Sequence, residues 1–236
     1  MTIDRDNLLN SILESIDRIH NVESSEIPGI DLYVDQVTTI MGKMLRQSTR
    51  NPEEDKIMTK TMINNYAKNN LIPSPENKKY TREHMVLLIF IYYSKGLLSI
   101  TDIQTLLNPL TERYFNSEGD INLCSIYDEV FSMEKERTQE IKEDISQKFK
   151  RAGETFKECE GDYDRQMLQL FAFIYMLGYD VYTKKLLIEK LLDEFAQVTG
   201  QDGGRTQKGS TSKDKELKAK NSKQPGKGRP QPGKGN

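Results

Sequence analysis

The chain has 236 residues, enough for one or two domains with a real core. Hydrophobic residues make up 36% and charged residues 30%, an ordinary water-soluble balance with a polar tilt, and two cysteines are too few for a disulfide framework. The 34 basic and 36 acidic residues give a formal charge of −2, yet residues 201–236 hold ten Lys or Arg against three Asp or Glu. A body with 24 basic and 33 acidic residues, net −9, therefore precedes a tail of +7.

The opening MTIDRDNLLN has neither a basic nor an apolar region of a signal peptide. The densest apolar run, LFAFIYML at 170–177, falls well short of the ~20 residues that span a bilayer. A reduced, cytoplasmic setting with no membrane contact is expected.

Periodicity is helical almost throughout, which predicts an all-α fold. Ile3, Leu8, Leu9, Ile12, Leu13, Ile16 and Ile19 mark an amphipathic N-terminal helix within 1–26. Pro28-Gly29 breaks the chain, and Asp31 is placed to cap a second helix lined by Tyr33, Val37, Ile40, Met41 and Met44. After the polar connector NPEEDK, Thr59 caps a third helix with Met62, Ile63, Tyr66 and Ala67 inward. Leu71-Ile72-Pro73 closes it, and a tight loop leads to Tyr80.

Thr81 caps a fourth helix that is apolar all round from Met85 to Tyr93, as a central buried helix should be. Ser99 and Asp102 form a capping box for a fifth helix, which Asn108-Pro109 is expected to stop. These elements define a domain at 27–119. In a helical region at 120–200, one charged helix is expected from about 121 to 158. Ile141, Ile145, Phe149, Ala152 and Phe156 give it near-heptad marks, either for one-sided packing or for a dimer arm. Two apolar helices flanking Gly178 predict a helical hairpin. From 201 to 236 the chain has almost no large apolar residue and repeats QPGKG, the composition of a disordered basic tail. That tail is either a solubiliser or a loose electrostatic grip on a polyanion.

The third helix carries the chemistry. Lys60, Asn64 and Lys68 stack in one row at steps of four, and Thr61, Asn65 and Asn69 in the next. No Asp or Glu occurs from Lys56 to Pro75, inside an otherwise acidic body. Asn pairs donor and acceptor with adenine in a major groove, Lys meets phosphate or guanine, and a carboxylate would repel the backbone. Lys78, Lys79, Tyr80 and Arg82 extend the basic segment toward a loop that would touch phosphate. The simpler reading is an amphipathic helix whose outer face happens to be neutral.

The run TMINNYAKNNLIPSPENKKYTREHMVLLIFIYYSKGLLSITDIQTLL resembles the DNA-binding half of MerR-type regulators, through Tyr66, Leu71, Ile72, Pro73, Lys79-Tyr80, Gly96, Ser99, Ile103, Leu106 and Leu107. Together with IPGIDLYVDQVTTIM, it is also similar, over roughly 27–130, to an uncharacterised bacterial domain-of-unknown-function family with a MerR-like helix-turn-helix. The resemblance implies a helix-turn-helix domain, winged in form, and no carried-over DNA site. Three departures weaken its phosphate clamp. Asn64 stands where those regulators have Arg, Asn70 where they have Gly, and Glu76-Asn77-Lys78 where they have Gly-Tyr-Arg.

Catalysis finds no support. His84 has no ligand partner at metal spacing, Gly203-Gly204 precedes no helix, Ser132-Met133-Glu134-Lys135 lacks companion motifs, and Asp162 and Asp164 read as helix caps. The expectation is a non-enzymatic regulator without cofactor or metal. It would bind double-stranded DNA, as a homodimer or with a protein partner at the C-terminal helices. The alternative is a protein–protein adaptor on the same scaffold.

Overall fold

The computed structural model of the protein describes residues 4–19 and 22–201. Ile3, His20 and the tail from 202 onward lie outside the described residues. Eight α-helices account for most of them: α1 Arg5–Asp17, α2 Val34–Leu45, α3 Lys60–Lys68, α4 Arg82–Ser94, α5 Ile100–Tyr114, α6 Leu123–Glu136, α7 Thr138–Ala152 and α8 Asp162–Val198. Two short strands, β1 Leu32–Tyr33 and β2 Lys79–Tyr80, pair antiparallel, with Leu32 opposite Tyr80.

The chain builds two hydrophobic clusters. The larger surrounds α4, whose residues Met85 to Ile89 and Ile91 are all 0% exposed. A helix apolar on every side is stable only if every side is covered. Here α2, α5, α6 and β2 supply that cover. The buried members of this cluster run from Val22 to Tyr127. Two long-range contacts close its ends: the Tyr127 hydroxyl donates to the Val22 carbonyl at 2.5 Å, and the Ser24 amide donates to the Asp128 carboxylate at 2.8 Å. This domain thus begins earlier and ends later than the 27–119 segment expected from sequence, because a 3-10 turn at residues 24–26 and α6 pack together at its edge.

The second cluster joins α1, α7 and the first half of α8 through Phe149, Ala152 and Phe173, with Leu8, Leu9, Ile12 and Ile145 against them. Gln169, buried on α8, donates to the carbonyls of Gly153 and Thr155 and accepts from Arg5 at 2.5 Å. Lys148 reaches Asp180 at 2.8 Å.

Several expectations change. Tyr33, not Asp31, is the N-cap of α2, because Leu32 and Tyr33 are held extended by β2 and the Tyr33 amide donates to Gln36 at 2.9 Å. Pro109 lies inside α5 and does not stop it; Leu110 and Tyr114 beyond it pack on the first cluster, so burial outweighs the lost backbone hydrogen bond. The single charged helix is two, α6 and α7, parted at Arg137. The near-heptad row Ile145, Phe149, Ala152 is spent on internal packing rather than on a dimer arm. The hairpin around Gly178 is one continuous helix of 37 residues, with Gly178 in its interior.

Between Glu76 and Lys79 the chain turns through Asn77 and Lys78, at φ 50° and 64°. Two successive left-handed residues make a type I′ turn, the form that matches strand twist and favours Asn-Gly. Lys78 therefore adopts a conformation in which its Cβ is a cost. Lys78→Gly should raise stability by about 0.5–1 kcal/mol, seen as a melting temperature higher by about 1–4 °C. An unchanged or lower value would contradict this reading of the turn.

Candidate nucleic-acid interface

Helix α3 is set from both ends. Thr59 accepts from the Met62 amide at 3.2 Å, a side-chain N-cap. At the other end Asn70 takes φ 55°, the Leu71 amide donates to the Tyr66 carbonyl at 2.8 Å, and the Asn70 amide to the Ala67 carbonyl at 3.2 Å. That pair of bonds is a Schellman motif, with Asn in the place usually taken by Gly. Leu71 and Ile72 then insert into the core, and Ile63 and Ala67 anchor the inner side of the helix.

With this rotation fixed, Lys60, Thr61, Asn64, Asn65, Lys68 and Asn69 are all exposed on the outer side. The ridge carries no carboxylate of its own, but α2 supplies one: Asp35 pairs with Lys60. Both partners are largely exposed, so the pair adds little stability. Asn69 is partly engaged, since its side-chain amide donates to the Asn65 carbonyl at 2.8 Å and its carbonyl accepts from Gln104 at 2.8 Å. Asn64, Asn65 and Lys68 are thus the forward-facing centre of the ridge.

The remaining predicted residues divide. Lys78 is exposed at the tip of the 76–79 turn and Lys79 is half-buried beside it. Tyr80 is 2% exposed, so it is a packing residue and not a contact; its hydroxyl lies 3.5 Å from the Asn64 amide oxygen, behind the ridge. Arg82 sits apart, at the start of α4, in a hollow with Gly29, Asp31, Asn122 and Cys124. Packing puts it there: its terminal nitrogen comes within 3.0 Å of where a Cβ on Gly29 would be.

His84 is the residue whose importance exceeds its sequence signal. It is 2% exposed and joins the loop to α4. The Thr81 amide donates to Nδ1 at 3.0 Å, which leaves the proton on Nε2, 3.2 Å from the Pro73 carbonyl. Tyr80 and Phe115 meet its ring edge-on, at centroid distances of 5.5 and 4.8 Å. These contacts make His84 a capping and loop-packing residue. Burial lowers its pKa, against the Pro73 hydrogen bond and the Asp31 charge, which raise it.

The connector from α2 to α3 is long but fixed, since Ile57 and Met58 are buried and Lys95 donates to the Ile57 carbonyl at 2.8 Å. Burial raises the Cys124 thiol pKa, as suits an unreactive packing cysteine. Among the described residues no cluster of His, Cys, Asp or Glu is arranged to hold a metal, and no helix is long and apolar enough to cross a membrane.

A neutral buried His84 binds fewer protons folded than unfolded. Stability should therefore be full above the unfolded pKa of about 6.5 and decline as pH falls below it. His84→Gln keeps an N3 side chain that reaches back to the cap. Thermal melts should show the gap between wild type and His84→Gln narrowing from pH 7 to about pH 5. A gap independent of pH would show that His84 does not titrate as described.

No curated protein and no solved structure matches the chain. Residues 22–130 match the family Domain of unknown function (DUF1836), an interval nearly the same as the Val22–Tyr127 span of the first core. The α3 ridge thus lies within the segment that matches the DUF1836 family.

Proposed function

We propose that this protein is a cytoplasmic DNA-binding transcriptional regulator whose α3 enters the major groove. In this reading the domain is a MerR-like helix-turn-helix, with α2 as the supporting helix, α3 as the reading helix and the 76–79 turn as a small wing on the phosphates. The observation that carries it is the outward row of Lys60, Thr61, Asn64, Asn65 and Lys68 on a helix whose opposite side is locked into the core. Amides read base edges and ammonium groups neutralise phosphate. Lys60 must exchange Asp35 for phosphate on binding, so Lys68 and the wing lysines supply the larger electrostatic share.

An adaptor function is the second reading. The net −9 body repels DNA away from the ridge, and the long apolar face of α8 suits a protein partner. The two differ at α3, which the adaptor does not need for binding.

Anisotropy titrations of the full chain on selected and random duplexes, from about 50 to 200 mM salt, test the proposal. Because every variant retains the basic tail, differences isolate α3. Asn64→Ala or Asn65→Ala should cost about 1–3 kcal/mol on the preferred duplex and little on random DNA. Lys68→Ala should weaken all sequences alike and reduce the salt slope by about 1. Variants that bind every duplex like wild type would remove α3 from the interface and favour the adaptor.

A further inference from the structure

Helix α8 rises ~55 Å over its length, and from Tyr163 to Leu186 it presents an apolar face to solvent. Tyr163, Met167, Phe171, Ile174, Tyr175, Tyr179, Val181, Tyr182 and Leu186 are each between 48% and 66% exposed. At 100° per residue these positions fall on one side of the helix, opposite buried Gln169 and Phe173. At roughly 100 Å² apiece they expose ~900 Å², beyond the largest apolar patch usual for a monomer and near the ~800 Å² that each partner contributes to a standard interface.

The face has an internal symmetry. Its ends, Tyr163 and Leu186, have their midpoint between Ile174 and Tyr175. Rotation by two-fold symmetry about that midpoint sets Phe171 level with Gly178, and Met167 level with Tyr182. Around Gly178 nothing lies within 4 Å of an added Cβ, and with Ile174, Tyr175, Tyr179 and Tyr182 it forms a shallow groove. The same rotation sets Asp164 level with Lys185. Both are exposed, both lie on the apolar side, and they stand with Phe171 and Gly178 in one series spaced by seven. A ring opposite a glycine and opposite charges at both ends are the self-complementarity that an isologous contact requires.

We infer that α8 is a homodimer interface: two copies pack antiparallel about the Ile174–Tyr175 midpoint, Phe171 seating over Gly178 of the partner subunit and Asp164 facing Lys185 of the partner subunit. The inference goes beyond DNA binding and does not depend on it, since oligomeric state is read without DNA.

Sedimentation equilibrium of the full chain at micromolar to tens of micromolar concentration should give the mass of a dimer. Gly178→Leu fills the space meant for Phe171 while favouring the helix of the monomer, so it should weaken self-association at least about ten-fold with helicity by circular dichroism kept or raised. Asp164→Lys and Lys185→Asp should each weaken it several-fold, and the double variant should restore it. A monomer at all concentrations, or a dimer indifferent to Gly178→Leu, overturns the interface. Failure of the double variant to recover overturns the antiparallel register.

Discussion

The burial of α4 is the constraint on which the family domain depends. A helix with no polar side has no place on a surface, and each of its buried side chains contributes roughly 1.5–3 kcal/mol only when covered. The chain meets that demand from elements far apart in sequence. Val22 and Ile27 come from before α2, β2 lies directly ahead of α4, and Tyr127 comes from α6. The Tyr127–Val22 and Ser24–Asp128 bonds then tie the two ends of the domain to each other. The coincidence of this core with residues 22–130 says that the family unit is a physical unit, one helix and the shell that hides it.

The α3 ridge is a consequence of that shell. Ile63, Ala67, Leu71 and Ile72 all insert toward the core, and so the rotation of α3 is not free. Thr59 fixes where the helix begins and Asn70 where it stops. His84 adds the third restraint by holding the loop at Pro73 against the first turn of α4. Amides and ammonium groups are left outward on a rigid element, which is where a reading surface needs to be. The same logic removes Tyr80 from the surface: it is the inward residue of a two-residue strand, and its ring fills the space behind Asn64.

Local signals were legible and long-range ones were not. Thr59, the step-of-four rows of α3, the Ser99–Asp102 box and the all-round apolarity of α4 are written in adjacent residues, and each corresponds to a structural element. The α3 ridge was readable for the same reason, whereas the Lys60–Asp35 pair was not, because it joins two helices. A two-residue ladder such as β1–β2 has too little sequence to announce itself. Pro109 and Gly178 are weak breakers that tertiary context overrode. Leu110 and Tyr114 hold the turn after the proline, and Gly178 costs only about 1 kcal/mol within a helix anchored by Phe173 before it and Leu192 after it. The break at Arg137 carries no glycine or proline; it falls where the chain leaves the first core for the second.

The central claim is that the outward side of α3 meets duplex DNA. Its most direct measurement is a titration of isotope-labelled full-length protein with a selected duplex, followed by the NMR signals of backbone and Asn side-chain amides. The account predicts that the largest changes fall on Asn64, Asn65 and Lys68, with smaller ones at Lys78 and Lys79, while the amides of α8 stay in place. Changes confined to residues outside 59–80, or none at any ratio of duplex to protein, would contradict it.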